Sequence, residues 1–354
     1  METRRHFIKQ SAAGLVSVLA LSQLNCLMTA GRPKNVLFII CDDLNDSLEN
    51  LGGHPQAVTP NLDRLMQKSV RFTNAHSNDP ICGPSRASFL TGIYPHKSGY
   101  FGYKQQQNHW RKNPVLKGAK TFMEHFGANG YDVYGTGKIF HNGHEDWSVW
   151  KEDDGFGIEP TFGPVAWDGS FKRGTHDHDL GLALPSVSKD CPDGPQKWRW
   201  TSSFGSLADV PAYPPEPEKG IPGYKGWICF GKPFHYDGPD DRDLMPDELN
   251  AQWASAILDK KHDNPFMLCV GMNRPHSCWH APQKYFDMHP LESIQLPPFL
   301  ENDLEDCAKA LRPPAKFWAD SGYRKYERIM RCGGVDNWET PGSTGVSGLC
   351  QFCR

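Results

Sequence analysis

The sequence predicts an α/β fold built on a mostly parallel central sheet, and three observations predict it. Residues 35–41 (Asn-Val-Leu-Phe-Ile-Ile-Cys) and 265–271 (Pro-Phe-Met-Leu-Cys-Val-Gly) are short, continuous apolar runs. They lack the alternation of a half-exposed strand and have the pattern of parallel strands buried on both faces. Between them, strand and helix patterns alternate, the order that winds helices around a parallel sheet. Both runs stop at polar residues with chemistry to offer, Asp42-Asp43 after the first and Arg274-Pro275-His276 after the second. In open α/β sheets, ligands bind at that carboxyl end.

The bounds set by composition are consistent with this. The 354 residues suffice for one large or two modest domains, and 38% hydrophobic residues suffice for a core. A formal net charge of −3 argues against a general nucleic-acid binder. Mean hydropathy is −0.58, and no long apolar run follows the one near the N-terminus, so no stable membrane span is expected. Residues 1–30 read as a targeting segment. Thr3-Arg4-Arg5-His6-Phe7-Ile8-Lys9 resembles a twin-arginine export motif, and an apolar stretch over 12–21 follows. Export to a periplasmic or extracellular space is expected, with Cys26 as a weak candidate for a lipid anchor. Eleven cysteines in an exported chain permit disulfides, but the number is odd and no particular pairing is predicted.

Taken in order, the first strand delivers Asp42 and Asp43 to its carboxyl end. Two adjacent carboxylates there are costly unless something positive neutralises them. A hard divalent cation is the natural partner, since Ca²⁺ and Mg²⁺ prefer carboxylate oxygen; capping of a turn is the plainer alternative. Thr59-Pro60-Asn61-Leu62-Asp63-Arg64-Leu65 opens an amphipathic helix expected to run to about Ser69, with Asn61 and Asp63 serving its start. Residues 70–75 (Val-Arg-Phe-Thr-Asn-Ala) read as a short strand that carries the chain toward Cys82.

Residues 79–92 (Asp-Pro-Ile-Cys-Gly-Pro-Ser-Arg-Ala-Ser-Phe-Leu-Thr-Gly) are the centre of the chain. Pro84 suits the first turn of a helix that continues through Leu90, which puts Cys82 just before the helix N-terminus. Backbone N–H groups and the helix dipole favour negative charge there and are expected to lower a thiol pKa. Arg86, one turn along, adds a fixed cation. The chemical reading is a nucleophile beside an anion-binding helix end, and the plain one is a small buried hydrophobe.

Residues 121–126 read as helix and 132–136 as strand, ending in Gly137-Lys138-Ile139-Phe140-His141. Lys138 and His141 then reach the same crevice, although either alone reads as an ordinary surface lysine or packed histidine. The Gly-x-Gly at 135–137 lacks the remaining features of a phosphate loop. Residues 142–245 change character: Trp147, Trp150, Trp167, Trp198, Trp200 and Trp227 are interleaved with Gly, Pro and charge. This reads as an irregular insertion over the active-site face, its aromatics either clamping a sugar or forming a small core under long loops. A helix beginning at Met245-Pro246-Asp247-Glu248-Leu249 leads to the second apolar run and to His276, while His280 and His289 read as ordinary polar residues.

Cys82-x-Pro84-Ser85-Arg86 followed by Leu90-Thr91-Gly92 resembles the signature of the type I sulfatases. Lys138-Ile139-Phe140-His141 and the segment from Pro275-His276 through Pro282-Gln283-Lys284-Tyr285-Phe286 are most similar to the iduronate-2-sulfatase branch. The resemblance implies an alkaline-phosphatase-like sandwich, a mostly parallel sheet flanked by helices. It implies that a formylglycine-generating or sulfatase-maturing enzyme oxidises Cys82 to formylglycine, whose hydrate attacks the sulfur of a sulfated carbohydrate. It further implies Ca²⁺ (Mg²⁺ as second choice) on Asp42, Asp43 and residue 82, and Arg86 orienting the nucleophile. Lys138 and His276 would lie on the sulfate, with His141 as the base for sulfate release and His276 as leaving-group acid.

The resemblance covers about 34–338, read as the N-terminal part of a catalytic domain. Sulfatases draw further metal ligands from a later strand ending in Asp-His-Gly or Asp-Asn-Gly, and a later lysine contacts the sulfate. Neither follows here: Asp336-Asn337-Trp338 has no apolar run before it, and 339–354 reads as an aberrant tail. The expectation is therefore a sulfuric ester hydrolase, iduronate-2-sulfatase-like, incomplete at its C-terminus. A phosphomono- or phosphodiesterase of the same superfamily is one alternative, and a truncated, inactive glycan-binding fragment is another.

Overall fold

The computed structural model describes residues 33–46, 48, 51, 53–102, 108–141, 144–158, 163–166, 182–183, 197–198, 204–220, 222–276, 278–290 and 293–295. The targeting segment with Cys26, residues Trp167 and Trp200, Asp336-Asn337 and the tail at 339–354 lie outside them.

Among the described residues the central sheet has three parallel strands: β1 (Val36–Cys41), β2 (Asp132–Gly137) and β3 (Phe266–Met272). Their spatial order is β1-β3-β2, so the second apolar run of the sequence is the middle strand. Val36 lies opposite Met267 and Cys41 opposite Met272, while Asp132 to Gly137 match Phe266 to Gly271. All three carboxyl ends therefore point the same way.

Side chains alternate across the sheet, and the two faces have different cover. Phe38, Val133, Met267 and Cys269 face helices α2 (Cys82–Thr91) and α3 (Phe122–Ala128), with Ala87, Leu90, Met123, Trp110 and Trp150 completing that core. Tyr134, Phe266, Leu268 and Val270 face the opposite layer, where helix α4 (Pro246–Asp259) contributes Trp253, Ala254 and Ile257. This is the parallel, helix-flanked sheet expected from the sequence. The cover is uneven, and the expectation that the first apolar run is buried on both faces does not hold among the described residues, where β1 is an edge strand covered on one face. On the α4 side, Leu37 and Ile39 of β1 stay 48% and 55% exposed. Leu62 and Leu65 of helix α1 (Pro60–Met66) are exposed as well.

Local signals account for each helix. Thr121 and Glu124 close a reciprocal capping box on α3. Pro246 opens α4, and the Glu248 carboxylate accepts from Met245 N–H and from both terminal nitrogens of Arg242. On α1, Asp63 accepts from the Thr59 hydroxyl and Asn61 from Arg64, so both serve the helix, which ends at Met66 rather than near Ser69. Residues 70–75, expected as a strand, are irregular. Val70 and Phe72 are 82% and 79% exposed, and among the described residues no strand pairs with this segment. Its β-branched and aromatic composition mimics a strand without a partner to make one. Among the described residues no helix is long and apolar enough to cross a membrane.

Of the insertion's tryptophans, Trp227 is the centre of a separate small core with Leu207, Cys229, Phe234 and Met245, and Trp150 joins the main core. Trp147 is exposed, edge-on to Phe156. The small-core alternative therefore holds for Trp227. His280 packs on its indole with ring centres 4.6 Å apart, and its Nδ1–H donates to the Gly205 carbonyl. Burial pushes the His280 pKa down to about 3. Because the folded pKa lies below the unfolded value of about 6.5, protonation favours the unfolded chain. The stabilisation is full above that value and is lost as pH falls through the window. By pH 5 the loss expected from His280 alone is about 2 kcal/mol. Urea unfolding at pH 7.5 and pH 5 measures it, and His280→Phe should flatten the difference by that amount.

Candidate active site

The ends of β1, β2 and β3 converge on Asp42, Lys138 and the turn at residues 273–276. Asp42 is buried, and its own N–H donates to the Met272 carbonyl (3.0 Å). Its Oδ1 accepts from Nη2 of Arg86 (2.9 Å), and its Oδ2 accepts from Nζ of Lys138. Lys138 is completely buried and Arg86 nearly so. Nη1 of Arg86 also donates to the carbonyls of Lys138 and Ile139, tying α2 to the end of β2. Burial opposes ionisation of Asp42, but Lys138 and Arg86 outweigh it and hold the carboxyl below the usual carboxylate range. Two buried cations share one carboxylate, so the cluster carries one positive charge in excess. The neutraliser that the sequence reading sought in a metal is thus supplied to Asp42 by the chain itself.

Two glycines allow Lys138 to arrive. Gly137 takes a positive φ of 72°, and a Cβ there would lie 2.0 Å from the Gly271 carbonyl oxygen. A Cβ on Gly271 would lie 2.2 Å from the Lys138 carbonyl group. The close passage of β2 over β3 requires both to be bare.

Cys82 is the first residue of α2, not the residue before it. The approach is fixed by Asp79, whose carboxylate accepts from Ile81 N–H (2.8 Å). The expected lowering of the thiol pKa is overturned. Burial pushes the Cys82 thiol up, against the downward pull of Lys138 and Arg86, because desolvation outweighs the helix end. Unmodified Cys82 is accordingly a thiol at neutral pH. Tyr100, buried nearby, is pushed up to about 12 by burial and by Cys82.

His141 is partly buried beyond β2. Burial, then the Lys138 cation, push its pKa down to about 4, so it is neutral near pH 7 and able to accept a proton. Its ring lies 5.4 Å from that of His144, which lies 5.6 Å from His109. Sequence reasoning missed His144, as well as Tyr100 and Asp79. The only signal for His144 was its place three residues after His141.

His276 lies in the turn after β3. Its N–H is shared by the carbonyls of Asp42 (3.1 Å) and Asn273 (2.9 Å), and Asp247 of α4 accepts from the N–H groups of Asn273 and Arg274. Nε2 of His276 is 3.8 Å from Oδ2 of Asp43, an exposed residue with φ of 61°. Ligand atoms of Asp42, Asp43 and His276 all lie within 4.8 Å of one another. Two neighbouring carboxylates suit a divalent cation in kind. In number they fall short of the six to eight oxygens Ca²⁺ takes, and among the described residues the Cys82 thiol and further acids do not join them. The seven residues singled out from the sequence thus meet at one end of the sheet: Asp42, Arg86 and Lys138 bonded together, Cys82 and His141 within their field, and Asp43 beside His276.

The sulfatase family model matches residues 34–294, which spans all of these positions. The chain belongs to the sulfatase family. A sulfatase of Formosa agariphila is 33% identical over 278 residues, covering 77% of this chain and 45% of that protein. The iduronate 2-sulfatases of Mus musculus and Homo sapiens are 27% and 28% identical over 267 and 268 residues, each covering 75% of this chain and 39% of the relative. The chain thus spans less than half the length of these relatives. In this member of the sulfatase family, Asp42, Arg86 and Lys138 form a buried floor, while Asp43 and His276 form a more open wall.

Proposed function

We propose that this chain carries the nucleophile half of a sulfuric ester hydrolase acting on a sulfated sugar, with Cys82 as the residue converted to formylglycine. The observation that carries the reading is the buried Arg86–Asp42–Lys138 cluster beside Cys82. Its one excess positive charge, held by side chains almost out of reach of water, suits an anionic ester and charge developing on it. Hydrated formylglycine would supply a paired-hydroxyl nucleophile that releases sulfate as the aldehyde returns. A divalent cation, Ca²⁺ by preference, would be held through Asp42 and Asp43 and would polarise the sulfate oxygens.

The chain's own residues do the remaining work. Arg86 and Lys138 hold the floor in place and offset negative charge. Neutral His141 takes a proton from residue 82 when sulfate departs. His276, held by two carbonyls and facing Asp43, gives a proton to the leaving alcohol. Similarity to iduronate 2-sulfatases supports a uronate 2-sulfate as the finer substrate assignment. The twin-arginine pattern supports export, and therefore maturation of Cys82 before or during it.

Matched aryl sulfate and aryl phosphate esters provide the test, with conversion of Cys82 verified by mass. Faster sulfate turnover is expected. Faster phosphate turnover would assign the chain to the phosphoesterases, and glycan binding without turnover would make it a binding fragment.

A further inference from the structure

Behind the turn that carries His276 lies a cavity of about 320 Å³, between the start of α4 and the short helix Gln283–Asp287. Asn273 lines it and is 1% exposed, yet among the described residues neither its amide nitrogen nor its amide oxygen has a partner. Leaving both sides of a buried amide unsatisfied is expensive unless a ligand engages them. The lining also includes Trp279 and Tyr285. The Trp279 indole is fixed by its N–H on the Pro275 carbonyl (2.7 Å).

We propose that this cavity is a subsite for one uncharged pyranose ring, the sugar adjoining the sulfated one. The inference deepens the sulfatase reading and rests on it for the identity of the chain being bound. An amide presents a donor and an acceptor side by side, the match for two neighbouring ring hydroxyls. Flat aromatic faces suit the C–H face of a sugar. The volume is at the low end for ligand pockets, room for one ring. An anionic sugar finds little to hold it here: the one Lys or Arg among the lining residues, Arg274, donates to the carbonyls of His276 and Gly163, and Glu248 on the same wall is already paired with Arg242. The location also fits, because Arg274 donates to the His276 carbonyl (3.2 Å) and so joins the cavity to the turn of the catalytic acid.

The test is binding of methyl β-D-galactopyranoside and methyl β-D-glucopyranoside to the whole chain, followed by saturation-transfer NMR at millimolar concentrations, with inorganic sulfate as competitor. At least one glycoside should bind, sulfate should not displace it, and Asn273→Leu should weaken it about 5- to 10-fold. Tyr285→Ala changes an exposed side chain, so it gives the same reading should Asn273→Leu not fold. Absence of binding by both glycosides, displacement by sulfate, or unchanged binding in the folded variants would overturn the proposal. Binding needs no formylglycine, so loss of ester turnover and loss of this subsite are separate results.

Discussion

Alanine at position 82 is expected to abolish ester turnover, by about 10⁴-fold or more, without unfolding the chain. The two effects separate because of where Cys82 sits. It is the first residue of α2 and only partly buried, so removing one sulfur atom costs little packing. Serine at the same position gives a sharper result. It supplies one hydroxyl, which can displace the alcohol once, but not the second hydroxyl that expels sulfate. A single stoichiometric burst of alcohol followed by arrest is expected, with sulfate retained on the protein by mass. Multiple turnovers by either variant would show that another residue is the nucleophile. The partly buried thiol points the same way. Its pKa is raised, so a thiolate mechanism is poorly served, and chemistry at this position gains from conversion to something other than sulfur.

The largest loss of stability is expected from Asp42→Ala. The carboxylate is the shared partner of two cations that have almost no access to water. Removing one member of a buried ion cluster typically costs about 3–5 kcal/mol, because charge is left behind unpaired. Lys138→Met should cost less, since Asp42 keeps Arg86. The double variant should recover part of the loss of Asp42→Ala, because one stranded cation is gone. Denaturant unfolding of the three variants measures these terms. A loss below about 1 kcal/mol for Asp42→Ala would show that Lys138 and Arg86 are held by other groups.

Much of the fold could be read in the sequence because its signals are local. Apolar runs without alternation point to β1 and β3, the helical pattern of 121–126 to α3, and the Met245-Pro246-Asp247-Glu248-Leu249 start to α4. The site was legible as a set of strand ends, since parallel topology forces Asp42, Lys138 and His276 to one side of the sheet. Its internal bonding was not. The pairing of Lys138 with Asp42 joins residues 96 positions apart. It depends on the bare backbones of Gly137 and Gly271 passing closely, and spacing does not reveal such a passage. The direction of the Cys82 shift was misread for a related reason. The helix end is a local feature visible in sequence, whereas desolvation is set by everything packed around it. Residues 70–75 failed in the opposite sense, with good strand composition and no pairing.

β1 has a second consequence, unrelated to catalysis. Among the described residues it has a neighbour on one edge only, and Leu37 and Ile39 lie open on the face that α4 does not reach. An unpaired strand edge beside an apolar stripe is where a further strand adds with least adjustment, since its N–H and C=O groups already stand in register. The six residues of β1 thus serve twice: they set where the first carboxylate stands, and among the described residues they offer one edge and one apolar face for further chain to cover.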